Sequence, residues 1–221
     1  MFHDALPAAE RYAELLAHDA TVRGLIGPRE VPRLWERHLL NCAAVAAAVP
    51  DGSSVCDIGS GAGLPGLVLA IARPDLTLEL VEPLLRRTTF LEEVAADLAL
   101  DNVVVTRGRA ELLYGVRQFD VVTSRAVAPM GRLLEWSMPL VAPHGAMVAM
   151  KGSSAQEEID EAAHLLARLR CAPPEIVDLP APDASSTTRV VRVSWADPAR
   201  VSLPRRNAQG SGNSSKRKGP S

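Results

Sequence analysis

Ser53-Ser54-Val55-Cys56-Asp57-Ile58-Gly59-Ser60-Gly61-Ala62-Gly63-Leu64-Pro65-Gly66 is the stretch whose reading decides the fold. It starts as a buried strand, breaks into a glycine turn and opens a helix. Gly59, Gly61 and Gly63 stand at alternate positions, so the main chain can bend sharply and approach a ligand with no Cβ in the way. Pro65 suits the first turn of a helix, where its missing N–H costs nothing. Function is expected at this turn.

Outward from it, strand and helix patterns alternate. Apolar runs predict strands over Ser53–Asp57, Thr77–Val81, Val103–Thr106, Phe119–Thr123 and Ala146–Met150. Helical spacing fills the gaps at Pro65–Ala72, Leu85–Leu98, Arg109–Tyr114, Met130–Met138 and Ala155–Leu169. Nearly continuous apolar strands separated by helices predict a parallel sheet covered on both faces, a doubly wound α/β fold of Rossmann-like type. Glu175–Leu179 and Arg189–Trp195 are separated by Pro180-Ala181-Pro182-Asp183 and not by a helix, which predicts an antiparallel pair at one edge. Upstream, helices are expected over Pro7–Asp19 and from Val31-Pro32 to Val49, the second burying Leu34, Trp35, Leu39, Ala43 and Ala46. The expected organisation is an N-terminal helical extension (1–50), a core (51–198) and a disordered basic tail (199–221), whose Gly, Ser, Asn and basic residues have almost nothing to bury.

The 221 residues, 47% hydrophobic, suit one full-sized core. Cys42, Cys56 and Cys171 lie far apart with no C-x-x-C pair, which fits a reducing compartment and argues against a structural zinc site. No signal peptide or membrane span is legible, so a cytoplasmic protein without metal or membrane attachment is expected. The net charge of −2 is unevenly spread: six of the 24 basic residues follow Pro198 and no acid does, leaving 18 against all 26 acids before it. Composition alone does not announce a nucleic-acid binder.

Gly61-x-Gly63-x-x-Gly66 matches the nicotinamide-dinucleotide pattern, so an NAD(P)-dependent oxidoreductase is one alternative. However, Asp57 precedes the glycines as Asp57-x-Gly59-x-Gly61-x-Gly63, placing a carboxylate at the strand end. It would repel a pyrophosphate and suit a cationic ligand such as S-adenosylmethionine, with its sulfonium and α-ammonium. Glu82 ends the second strand and can accept the hydroxyls of an adenosine ribose in either ligand class. It points to an adenosine and leaves the cofactor open.

Further pieces give a specific resemblance. Asp57 to Gly66, Glu82-Pro83-Leu84-Leu85-Arg86-Arg87, Arg109-Ala110-Glu111, Ser124-Arg125-Ala126-Val127-Ala128 and Met150-Lys151-Gly152 occur in the order and spacing of the RsmG (GidB) family, and Trp35 to Asn41 resembles its pre-core helix. That family comprises bacterial methyltransferases that modify a guanine of 16S ribosomal RNA at N7. The resemblance implies a class I methyltransferase core and a cofactor site built from Gly59, Gly61, Gly63, Leu64, Ala110, Glu111 and Arg125, to which the residue reading adds Asp57 and Glu82. Arg125, just after the fourth strand, would meet an anion, either the methionine carboxylate or an RNA phosphate.

Arg125, Lys151, His38 and Asn41 are the expected reaction-side residues: Lys151 from the sheet's carboxyl edge, His38 and Asn41 flanking the target base. For His38 a core or capping role is the competing reading. Arg29, Arg33, Arg37 and His38 before the core, Arg86 and Arg87, Lys151 and the tail are the expected RNA contacts. No Asn/Asp-Pro-Pro-aromatic turn follows the fourth strand, and no base is evident; guanine N7 has no proton to lose, so that silence fits N7 methylation. The expected partner is 16S ribosomal RNA, within a 30S subunit or its precursor, met by a monomer. A non-enzymatic ribosome-associated binding factor is a further alternative.

Overall fold

The computed structural model describes residues 2–180 and 187–201. Of the expected tail, residues 202–221 lie outside the described residues; ahead of them Pro198–Arg200 close one turn, capped by Asp197 Oδ1 accepting the Ala199 N–H at 3.1 Å.

Seven strands form one sheet: β1 (Ser54–Ile58), β2 (Thr77–Glu82), β3 (Val103–Arg107), β4 (Phe119–Arg125), β5 (Val141–Met150), β6 (Glu175–Pro180) and β7 (Thr187–Ser194), in the order β3-β2-β1-β4-β5-β7-β6. The first five run parallel, and β7 is antiparallel to both β5 and β6. This is the doubly wound sheet with an antiparallel edge expected from the sequence. Its order reverses between β1 and β4, so a crevice opens above their carboxyl ends.

Strand parity assigns the side chains to two cores. Val55, Leu78, Leu80, Ala146 and Val148 pack on one face with the N-terminal helices and with α3 (Gly66–Ala72); Cys56, Ile58, Val81, Met147 and Ala149 pack on the other with α5 (Met130–Ser137) and α7 (Ala163–Leu169). Each fully buried Leu, Val or Met contributes about 1.5–3 kcal/mol. α4 (Leu85–Asp97) covers β2 and β3 with Phe90, Leu91 and Val94 buried.

The upstream helices share the first of these cores, through Tyr12, Leu16, Leu39, Cys42 and Val45. α1 (Leu6–Leu15) continues as a π-helical turn, Leu16–Ala20. The single helix expected up to Val49 is instead a 3₁₀ segment (Pro28–Arg33), a π-helical turn (Leu34–Leu39), α2 (Leu40–Ala44) and a second 3₁₀ segment (Val45–Ala48). Pro32 has no N–H to give to a regular helix, so the backbone cannot hold one pitch there. Trp35, expected in the buried stripe, is 37% exposed and meets Phe2 edge-on at 6.3 Å between centroids. The expected Ala155–Leu169 helix breaks at Ala162 into α6 (Ala155–Glu161) and α7.

Candidate functional site

A cavity of about 780 Å³ fills the crevice at the carboxyl ends of β1, β2 and β4. Gly59, Gly61, Leu64, Glu82, Ala110, Glu111, His38 and Arg125, all singled out in the sequence, line it. A second hollow of about 650 Å³ adjoins it and includes Arg37, Asn41 and Lys151. Arg125, Ala126 and Val127 belong to the walls of both. Ala126 there takes φ +52°, a left-handed conformation that costs a non-glycine residue about 1–2 kcal/mol and is commonest where function demands it.

The glycine turn is shaped from behind. Asp57 lies two residues past Val55, hence on the α3 face, and is fully buried under the turn. Its Oδ2 accepts the Gly66 N–H at 3.0 Å, at the start of α3, while Oδ1 has no partner. Burial pushes this carboxyl up to about 7, with the Gly66 N–H pulling against that rise. Asp57 is therefore not the cavity-wall carboxylate the sequence reading expected; parity turns it away, and it organises the turn. Gly63 likewise faces inward: a Cβ there would overlap Leu67 and stand 2.8 Å from the Tyr12 hydroxyl, so glycine is required for packing, not for contact with a ligand. At Gly66 a Cβ would come within 2.7 Å of Asp57 Oδ2. Tyr12, on the buried side of α1, donates its hydroxyl to the Ala62 carbonyl at 2.6 Å and ties α1 to the loop.

Glu82 is 1% exposed and reaches the cavity. Its Oε2 accepts the Gly61 N–H at 3.1 Å and Arg87 Nη1 at 3.2 Å, and Oε1 accepts the Leu84 N–H at 3.1 Å. A carboxylate offers about four lone-pair sites. One position on Oε1 is thus open, enough for one ribose hydroxyl without rearrangement, where the sequence reading foresaw two. Arg87, expected to face RNA, instead turns inward to this carboxylate. Arg86 stays exposed.

Ala110 begins the 3₁₀ turn Ala110–Leu113, so its N–H has no acceptor within that turn; Glu111 follows it, exposed. Backbone donor and carboxylate thus stand together where an adenine edge could be met. The residues present fit an adenosine with a charged tail: a buried carboxylate with one open acceptor position, a backbone N–H beside a second carboxylate, apolar cover from Leu64 and a guanidinium at the far end.

Arg125 has no carboxylate partner among the described residues. Its Nη2 contacts His38 Nδ1 at 2.5 Å and its Nη1 donates to Cys42 Sγ at 3.2 Å. His38 Nε2 in turn meets Glu30 Oε2 at 2.9 Å. Burial and the Arg125 charge lower the His38 pKa against the pull of Glu30, and burial raises the Cys42 thiol to about 11. The sequence reading missed Glu30 and Cys42, and no local pattern marks them.

Lys151 is a second correction. Its side chain is 8% exposed, and Nζ donates to Glu158 Oε2 at 2.7 Å and to the Ala128 carbonyl at 2.9 Å. Its charge is spent in strapping the segment after β4 to α6. Asn41 lines the second hollow, with Nδ2 donating to the Arg37 carbonyl at 3.2 Å and Oδ1 unpartnered. Among the described residues no cluster suited to a metal ion occurs, and no helix is long and apolar enough to cross a membrane.

Known proteins agree with this architecture. Among solved structures, M. jannaschii TYW2 in complex with AdoMet superimposes with a TM-score of 0.56 at 14% identity, over 72% of this chain and 74% of that one. A SAM-dependent O-methyltransferase from Thermotoga maritima gives 0.54 at 14% identity over 75% and 70%. Both show the fold alone. By sequence, a Ribosomal RNA small subunit methyltransferase G from Nocardioides sp. (strain ATCC BAA-499 / JS614) is 65% identical over 91% of this chain and 80% of its own length. The protein of that name from Streptomyces coelicolor is 49% identical over 99% and 93%. These relatives lend no support to the oxidoreductase or binding-factor alternatives. Residues 5–183 match the GidB family model, rRNA small subunit methyltransferase G, and the chain belongs to that family.

Proposed function

We propose that this chain methylates N7 of a guanine in small-subunit (16S) ribosomal RNA, with S-adenosylmethionine as donor. One observation carries the reading beyond family membership: two cavities join at Arg125-Ala126-Val127, one furnished for an adenosine and the other open beside it. When bound, S-adenosylmethionine supplies an electrophilic methyl group on a sulfonium. Glu82 would accept a ribose hydroxyl, the Ala110 N–H and Glu111 would meet the adenine, Leu64 would cover an apolar face, and Gly59 and Gly61 would admit the ligand close to the main chain. Asp57 and Gly63 would act through the shape of the loop.

On the acceptor side, Asn41 and Arg37 line the hollow where the base would enter, and Arg125 would present positive charge to the methionine carboxylate or to an RNA phosphate. Of the titratable groups near the junction, buried His38 lies between Arg125 and Glu30, half-buried Glu158 accepts from Lys151 and from the Met130 N–H, and Glu161, on the wall of the second hollow, is exposed to solvent. A target that must lose a proton would lack the roughly 10²–10⁴-fold help of a poised base. Guanine N7 offers an in-plane lone pair and needs only alignment, an effect worth up to about 7–11 kcal/mol. Ribosomal RNA from cells lacking this protein should lose one 7-methylguanosine, read as a missing strand break after borohydride and aniline treatment. An unchanged cleavage pattern refutes the assignment.

A further inference from the structure

The arginines that the structure places beside carboxylates, among them Arg11, Arg73, Arg87 and Arg189, have their charge compensated on the spot. Arg125 is held differently. Its two anchoring contacts go to an imidazole nitrogen and a thiol sulfur. A guanidinium N–H can donate to His38 Nδ1 only if that nitrogen carries a lone pair, which puts the ring proton on Nε2, where Glu30 Oε2 lies 2.9 Å away. Glu30 is also bonded to Arg37 Nη1 at 3.3 Å, which fixes the carboxylate from its other side. Two of the five guanidinium N–H groups are thereby spent on neutral acceptors, and three remain on a side chain that lines both cavities.

We infer that Glu30, His38 and Cys42 are positioning residues: they grip Arg125 from behind through neutral acceptors, so that its whole charge is kept for an anionic group entering where the two cavities meet. This rests on the proposed reading of Arg125 as an anion contact and names the parts that make it one. Aspartate or glutamate in place of His38 would aim the side chain equally well but neutralise it. The chain runs Glu30–His38–Arg125, and the first two members come from the segment before the sheet, so the upstream helices set the geometry at the end of β4.

The arrangement has a directional pH dependence. The groups facing His38 are Glu30 and Arg37 from its own segment and Arg125 from β4, with Cys42 from α2 sharing the guanidinium. Protonation of His38 removes the acceptor and sets a second cation against Arg125. The folded pKa lies below the ordinary 6.5, so the grip is intact at neutral pH and is lost on acidification.

The test compares wild type, His38→Gln and His38→Leu in two arms over pH 5.5–8.5. One arm is calorimetric binding of S-adenosylhomocysteine, which retains the carboxylate; the other is binding to small-subunit particles that lack the modification. In at least one arm, His38→Leu should lose about ten- to hundredfold in affinity while the melting temperature is kept. His38→Gln, whose amide oxygen can accept from Arg125 and does not titrate, should recover most of the loss and flatten the acid limb seen in wild type. A loss confined to the first arm identifies the anion as the carboxylate, and a loss confined to the second identifies it as phosphate. Identical acid limbs in wild type and His38→Gln overturn the inference, and that comparison decides even if His38→Leu does not fold. A wild-type chain that binds S-adenosylhomocysteine and modifies no RNA would refute the proposed function and leave the calorimetric arm to judge the grip on its own.

Discussion

Asp57→Asn should stabilise the ligand-free protein at pH 8 and not at pH 4, the difference building up between about pH 4 and 7. Asp57 is fully buried, one oxygen bonded to the Gly66 N–H and the other bonded to nothing, and its carboxyl rises from 3.8 to about 7. A folded-state pKa above the unfolded one means that the native protein holds a proton the unfolded chain has released, so the contribution is full below about pH 4 and fades as pH rises to about 7. Ionising the group in place costs about 4 kcal/mol by pH 8. Asparagine keeps an acceptor for Gly66 and carries no charge, but it puts an unpaired amide where Oδ1 now lies, at a cost of about 1–3 kcal/mol. The net gain at pH 8 is about 1–3 kcal/mol, or about 3–10 °C in melting temperature for a chain of this size. At pH 4 the wild-type carboxyl is neutral, and the variant should melt at the same temperature or lower. Thermal melts at the two pH values, without cofactor, measure the difference. A melting-temperature difference between the two proteins that does not change with pH refutes the assignment of a buried, proton-holding carboxyl.

Glu82→Gln removes the charge that Arg87 and the Gly61 N–H converge on and weakens a buried acceptor open to a ribose. S-adenosylhomocysteine should bind about 10–150-fold more weakly, the equivalent of one charge-assisted hydrogen bond; calorimetric affinity within twofold of wild type would place the ribose elsewhere. Tyr12→Phe leaves the Ala62 carbonyl without its buried donor. It should cost about 1–3 kcal/mol in denaturant unfolding and also weaken cofactor binding, although Tyr12 does not line the cavity. A stability loss with unchanged affinity would show that the hydroxyl braces the fold and not the loop.

Much of the fold was legible because β1, β2, β4 and β5 are buried along most of their length, and double burial writes itself into the sequence as apolar runs such as Ala146-Met147-Val148-Ala149. The cavity wall was legible where a motif fixes backbone at a strand end: Gly59, Gly61, Glu82, Ala110 and Arg125 all line it. What failed was direction. Asp57 was read by its position at the end of β1, whereas its parity with Val55 sends it under the loop; that signal was present and unused. Lys151 was read as a free cation because nothing local shows that Glu158, across a turn and on the next helix, will take its charge. The upstream helix was read as continuous because helical spacing of apolar residues survives a change of pitch, while Pro32 does not permit a constant one.

The contacts that no local pattern could show share a physical origin. Tyr12 reaches Ala62 over 50 residues through a buried bond, and His38 reaches Arg125 over 87 through a part-buried one, each between the upstream helices and a segment at the sheet's carboxyl edge. A buried hydroxyl or imidazole without such a partner is costly, so each bond serves stability as well as position. The upstream segment is therefore not separable from the ligand site. It closes one side of the first core, braces the glycine loop from beneath, and fixes a guanidinium that faces both cavities. The site's geometry is then only as firm as the packing of helices that, by sequence, contain none of the residues expected to meet the methyl donor.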